Sequence, residues 1–341
     1  MKEAEFKVNN FDLLRLFAAT QVIIDHYYQH LNIPISGLPV KLLNLFPGVP
    51  VFFIISGYLI SASYERNNNL KDYFRNRALR IFPGLWCCII LTVIIFSFTG
   101  VNFFNKETIA WLPTQFAGFI YTPHFLSHYG FGSYNGSIWT IPLELQFYIL
   151  LPICYSLVPK SRLNYLLFAL FIVFVGCNLG YYWSDYGPMI KKLMRYTFAP
   201  LFYLFLIGVI FQRLKIYTSV IIYNKALYWI IGYVTFCLIF SDYIDPIIFS
   251  LIHTVLLAFC LLSIAYTLPN ISKKLLRTND ISYGIYIYHG LILTVIVQLK
   301  LQQHINLYVI IGLSYIAGYL SWITIEKPFI KLKKKTIRAT I

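Results

Sequence analysis

Ten apolar stretches follow one another along the 341 residues, at roughly 11–31, 48–64, 81–99, 137–158, 163–181, 197–212, 226–241, 246–268, 281–300 and 307–325. A helix of about 20 mostly apolar residues spans a bilayer, so each stretch predicts one crossing or a large part of one. The chain is therefore expected to be all-α: a polytopic transmembrane bundle of about ten helices, forming a single integral-membrane domain over 1–341. Composition agrees. The hydrophobic fraction is 58%, against about 45–50% in soluble domains, and the mean hydropathy is +0.66.

Charge sets the expected orientation. Only 12% of residues are charged, yet the net charge is +15. With the N-terminus in the cytoplasm, 21 lysines and arginines fall on the inner side and 6 on the outer, leaving Arg15 within the first helix. The positive-inside rule then places both termini in the cytoplasm, with the basic loops facing anionic lipid. This accounts for the excess without nucleic acid. The opening MKEAEFKVNNFD is polar, and no small-residue cleavage site follows the first apolar run, so that run is expected to stay in the mature protein. The six cysteines, Cys87, Cys88, Cys154, Cys177, Cys237 and Cys260, form no CxxC pair and no zinc-spaced cluster. They read as small buried hydrophobes, with neither disulfides nor a metal.

Against this apolar background the ionisable residues stand out. The first segment, FDLLRLFAATQVIIDHYYQHL, carries Asp12, Arg15, Asp25 and His26. Such groups at membrane depth are costly and are functional hypotheses by default. From Arg15 to His26 is about 1100° of helical rotation, some 20° past three turns, so both share one face roughly 16 Å apart. Two readings stay open: a snorkelling arginine with a hydrogen-bonded histidine, or a cation and a base aligned for chemistry. Asp12, three residues before Arg15, is placed to hold its side chain.

The inner stretch YERNNNLKDYFRNRALRIFP, read as a loop leading into the third segment, carries Arg75, Arg77 and Arg80. Arginine forks match phosphate oxygens, so the cluster suits a polyanionic cytosolic ligand; lipid phosphate and ordinary topology are the alternative. Glu144 sits about two turns into SIWTIPLELQFYILL, where a carboxylate needs a partner or a proton, and Pro142 predicts a kink or a local opening there. Ser56-Gly57 lies in GVPVFFIISGYLI, where small residues permit close helix packing and Ser56 offers a polar contact. His289, mid-segment in ISYGIYIYHGLI, reads as structural, and Glu326 in WITIEKPFI is placed to pair with the arginines. The long outer connection, about 100–136, is rich in aromatics and reads as a re-entrant or interfacial cap. Its Trp and Tyr residues suit interface anchoring, with sugar stacking as the alternative.

Taken in order, these blocks resemble the acyltransferase-3 family of integral-membrane O-acyltransferases of surface polysaccharides. FDLLRLFAATQVIIDHYYQH is similar to its Arg-x10-His signature, and PGVPVFFIISGYLI, with Ser56 and Tyr58, to its SGYLI block. RALR looks like its Arg-x-x-Arg motif. SIWTIPLELQFYILLP resembles its Trp-Ser-Leu…Glu-x-x-Phe-Tyr segment, with Thr140 where serine is common, and SYGIYIYHGLI and IEKPF resemble its late elements. The resemblance implies about ten transmembrane helices in a bacterial inner membrane and a cytosolic acyl-CoA donor, acetyl-CoA by default. It implies a carbohydrate acceptor and a catalytic Arg15/His26 pair, with Arg77 and Arg80 also functional. Some members of that family carry a C-terminal extracytoplasmic hydrolase-like domain, which this chain is expected to lack.

Acyl transfer from a thioester to a hydroxyl needs a donor anchor, a base and positive charge near the developing oxyanion. Arg15, Arg75, Arg77 and Arg80 are expected to hold the donor, His26 to act as base or acyl relay, and Glu144 to orient the base or bind a sugar hydroxyl. The rival reading is a transporter or flippase for a lipid-linked sugar that uses His26, Glu144 and Arg15 as a proton or substrate path. It predicts internal repeats, and none is visible.

Overall fold

The computed structural model describes residues 8–35, 37–277 and 279–333. The N-terminal residues, the basic C-terminal tail and hence the expected cytoplasmic termini lie outside the described residues.

Every predicted apolar stretch is a helix, and among the described residues there is no strand. In chain order the helices are α1 (Phe11–His30), α2 (Leu38–Asn44), α3 (Gly48–Arg66), α4 (Leu70–Phe98) and α5 (Lys106–Phe116). They continue as α6 (Ile141–Leu157), α7 (Leu163–Trp183), α8 (Pro188–Arg195), α9 (Phe202–Arg213) and α10 (Ala226–Phe240). The last are α11 (Pro246–Ala265), α12 (Ile271–Leu276), α13 (Ser282–Gln298), α14 (Leu307–Ser321) and α15 (Lys327–Lys331). Six spans among the described residues are long and apolar enough to cross a membrane, and α9, α10 and α13 are shorter apolar helices.

Three local features differ from the sequence reading. The arginine-bearing stretch is not a loop: α4 begins at Leu70, where the Asn69 side chain accepts from the Asp72 amide at 3.1 Å, and runs for 29 residues. An N-cap supplies the orphan amide's partner and lets a polar segment join the membrane helix. Pro142 does not interrupt a helix, because it falls in the first turn of α6, directly after a 3-10 turn over Ile138–Thr140, where no intrahelical N–H is needed. The region around 181–200 contains a short helix, α8, between α7 and α9.

The chain divides into two compact units. The first comprises residues up to Ala18, Leu38–Asn68 and Gln146–Thr278. Its centre is the α3/α9 pair, where backbone meets backbone at two glycines. A Cβ on Gly57 would lie 2.0 Å from the Phe205 carbonyl oxygen, and one on Gly208 would lie 2.0 Å from that of Ile54. Phe202 to Ile210 of α9 are all buried, as expected of a helix apolar on every side. Phe147 packs edge-on against Phe53 at 5.0 Å between centroids and tilts on Phe205 at 5.1 Å. At one end Glu65 pairs with Arg213, which also donates to Asn164, while Ser61, Tyr155 and Gln212 complete the network. Asn10 ties the start of α1 to this unit: its side-chain amide donates to Thr267 O at 2.8 Å, and its Oδ1 accepts from the Ser272 amide at 3.0 Å.

The second unit comprises Ala19–Gly37, Asn69–Leu145 and the residues from Asn279 onward. Here α13 and α14 approach through Gly284 and Gly318: a Cβ on Gly318 would lie 2.7 Å from the Ile285 amide nitrogen. Beyond α14 the helix widens into one π turn, Trp322–Glu326, before α15. The 100–136 connection is an ordered cap. Trp111 is fully buried and donates to Tyr121 O at 3.0 Å, and Tyr134 donates to Gln115 Oε1 at 2.6 Å. Burial holds the Tyr134 phenol well above its usual range, so it stays a donor. The anchor reading thus fails for these two aromatics, which form the cap's own core; Tyr121 remains exposed. The cap is pinned to α13 by Thr294 Oγ donating to Ser133 O at 2.9 Å and by Gln298 Oε1 accepting from the Gly130 amide at 2.9 Å.

Candidate active site

The second half of α1 carries the site. His26 and His30 are one helical turn apart and therefore neighbours on one face, with ring centroids 4.9 Å apart. His26 Nδ1 lies 3.0 Å from Nε2 of His289 on α13. His289 is 0% exposed, and its Nδ1 lies 3.2 Å from the carbonyl oxygen of Ile285, one turn back on the same helix. The His30 ring stacks on Phe131 of the cap at 3.9 Å and 7°, and its Nε2 is buried without a hydrogen-bond partner among the described residues. Three imidazoles from two helices and one aromatic from the cap thus form a single cluster.

The cap reaches the cluster through Asn135. Its side-chain amide donates to Ile287 O at 2.8 Å, and its Oδ1 accepts from the Ser137 amide and hydroxyl at 3.1 and 2.6 Å. Gly290, next to His289, faces this turn: a Cβ there would lie 2.2 Å from Asn135 Oδ1. Only glycine allows the cap to sit so close.

A second cluster lies nearer the start of α13. Arg80 pairs with Asp280 at 2.5 Å, the two side chains being 12% and 11% exposed. Asp280 Oδ1 also accepts from the Ser282 amide and hydroxyl, at 3.3 and 2.5 Å. The Arg80 guanidinium lies 5.9 Å from the Tyr283 ring centroid, within cation–π range. Glu326, 1% exposed, accepts from Ser321 at 3.0 Å through Oε1, leaves Oε2 without a hydrogen-bond partner among the described residues, and sits within electrostatic reach of Arg80. Arg77 is half-buried and Arg75 exposed on the same stretch of α4. Tyr283, Tyr286 and His289 recur at three-residue steps, so along α13 the arginine and histidine clusters are about 9 Å apart. Glu144, in the first turn of α6, interacts electrostatically with the Tyr283 and Tyr286 phenols. Thr140 and Tyr286 share a hydroxyl hydrogen bond of 2.8 Å.

The remaining sequence candidates belong to the first unit. Arg15 lies on α1, three turns before His26, with Asp12 3.8 Å away. Ser56 is buried beside Gly57 in the α3/α9 contact. Tyr58 shares a 2.9 Å hydrogen bond with Tyr266 and packs against Phe11 at 5.0 Å between centroids. Among the described residues, no three His, Cys, Asp or Glu side chains converge as metal ligands, and the six cysteines are free thiols.

Two residues of these clusters escaped sequence reasoning. His30 was signalled by its spacing of four from His26. Asp280 was signalled by the Asp-x-Ser pattern that opens α13, in which the carboxylate caps the Ser282 amide.

Comparison with known proteins places the chain in a family. The family model described as an acyltransferase domain matches residues 8–325. The chain belongs to this family, acyltransferase-3, and is a multi-pass membrane O-acyltransferase. It is 30% identical to Nodulation protein 10 of Rhizobium leguminosarum bv. viciae over 96% of this chain and 95% of that protein. It is 27% identical to an O-acetyl transferase of Shigella phage Sf6 over 95% of this chain and 96% of the relative. A shorter match, 31% identical over 31% of this chain and 19% of the relative, is to a peptidoglycan O-acetyltransferase of Listeria monocytogenes. No solved structure matches the chain.

Proposed function

We propose that this enzyme transfers an acyl group, acetyl in the simplest case, from cytosolic acyl-CoA to a hydroxyl of a cell-surface or lipid-linked carbohydrate, with His26 as the general base. The observation that carries the reading is the His26–His289 contact at 3.0 Å. An imidazole with one ring nitrogen held by a buried partner has its other nitrogen left for chemistry. The names of the relatives, an O-acetyl transferase and a peptidoglycan O-acetyltransferase, support an acetyl donor and a glycan acceptor.

In this scheme His26 takes the acceptor hydroxyl proton as the oxygen attacks the thioester carbonyl. The tetrahedral intermediate then expels the CoA thiolate, which recovers the proton from His26, so the reaction balances without another reactant. Arg75 and Arg77 on α4 supply positive charge for the donor's phosphates. Arg80 contributes from a position already tied to Asp280, and Arg15 is a further donor-binding cation on the helix that carries His26. Glu144 acts by orienting the neighbouring phenols or the acceptor hydroxyl. The basic loops favour a cytosolic donor side, with the enzyme in a bacterial inner membrane.

The direct test uses purified protein in liposomes. Wild type binds acetyl-CoA, Arg77→Ala binds it several-fold more weakly, and His26→Ala binds it normally yet transfers nothing. A protein that binds no acetyl-CoA removes the proposed donor.

A further inference from the structure

We propose that His289 is a positioning residue that fixes the tautomer of His26, so that Nε2 of His26 is the basic atom. This deepens the proposed function and rests on it. The argument is a proton count along two contacts. The Ile285 carbonyl oxygen can only accept, so a neutral His289 carries its proton on Nδ1, which lies 3.2 Å from that oxygen. Nε2 of His289 then holds a lone pair. It faces Nδ1 of His26 at 3.0 Å, and two lone pairs do not make a hydrogen bond. The proton between them therefore sits on His26 Nδ1, and the lone pair of His26 sits on Nε2.

The chain of contacts has the logic of a serine-hydrolase triad, in which a third group holds the base in one tautomer and one orientation. Here the third group is a neutral imidazole set by a backbone carbonyl. It adds no charge to the buried site, which suits membrane depth, where an isolated carboxylate is costly. The surroundings hold His289 in place. It is fully buried, Tyr286 lies 5.8 Å away between ring centroids, and the following residue, Gly290, is clasped by the Asn135 turn of the cap. His30 does not replace it: its Nε2 makes no hydrogen bond among the described residues, and its ring meets His26 edge-on.

Four variants and one spectrum test the proposal. Radiolabelled acetyl-CoA is added to membrane vesicles carrying each protein, and label transferred to glycan is counted. His289→Leu removes the acceptor at similar volume and is expected to lower kcat by about 10²–10⁴-fold, the contribution a positioned general base makes. KM for acetyl-CoA should stay within about twofold of wild type, because the tautomer does not touch donor binding. His289→Gln, whose amide oxygen can accept the same N–H, should recover most of the lost kcat. Equal kcat in wild type and His289→Leu, or equal losses in the Leu and Gln variants, overturns the positioning role. His26→Ala separates the two levels: transfer surviving there defeats the general-base reading itself, whereas an inactive His26→Ala beside a fully active His289→Leu defeats only the present inference. Should His289→Leu not fold, ¹⁵N NMR of histidine-labelled wild type decides the matter. The His26 signal, assigned by its loss in His26→Gln, should show a protonated Nδ1 and an unprotonated Nε2. The reverse tautomer contradicts the proposal.

Discussion

Replacing Gly57 by alanine tests the packing of the α3/α9 pair with one methyl group. The added Cβ would lie 2.0 Å from the Phe205 carbonyl oxygen and 2.9 Å from its carbon. Ordinary contact begins near 3.4 Å, so the helices must separate by about 1.4 Å there. The obstacle is backbone, which no rotamer change can move. Overpacking a core costs about 1–3 kcal/mol, and this contact belongs at the upper end. Alanine returns about 0.5–1 kcal/mol through helix propensity, leaving a net loss of about 2 kcal/mol. Gly208→Ala, facing the Ile54 carbonyl oxygen at the same 2.0 Å, should behave alike. Gly176→Ala on α7 is the control, because no atom lies within 4 Å of its added Cβ; it should be neutral or slightly stabilising. Thermal unfolding in detergent reads all three. A Gly57→Ala protein as stable as Gly176→Ala would refute the close approach of α3 and α9.

The other consequences concern the second unit. Arg80→Ala strands the largely buried Asp280 carboxylate and should cost about 3 kcal/mol, the low end for a broken buried pair because Ser282 still donates to it. The double variant Arg80→Ala/Asp280→Asn should recover part of that loss, and additive losses would mean that the two do not interact. Arg77→Ala should weaken acetyl-CoA binding several-fold, measurable by titration of the purified protein. Gly290→Ala drives a methyl group into Asn135 and Ser137. It should loosen the 122–136 part of the cap, seen as faster amide exchange there, and lower transfer while donor binding persists.

The helices were legible because a bilayer span demands a long apolar run, and each such run is visible without knowing its neighbours. The start of α4 was hidden because YERNNNLKDYFRNR is as polar as a loop, and only the Asn69 cap marks where the helix begins. Trp111 and Tyr134 were misassigned because an aromatic with a polar edge suits an interface or a core equally well. Their partners, Tyr121 O and Gln115, are what decide it. The site was half legible. His26 drew attention as a costly group at membrane depth, but His289 read as structural because its partner is 263 residues away, and no local pattern records a contact of that range.

The measurement closest to the central claim is mass spectrometry of surface glycans from cells lacking the gene and complemented with wild type or His26→Ala, both at equal membrane levels. The account expects O-acyl groups, acetyl by mass, with wild type and none with His26→Ala. Substantial acylation by His26→Ala would contradict the assignment of His26 as the base.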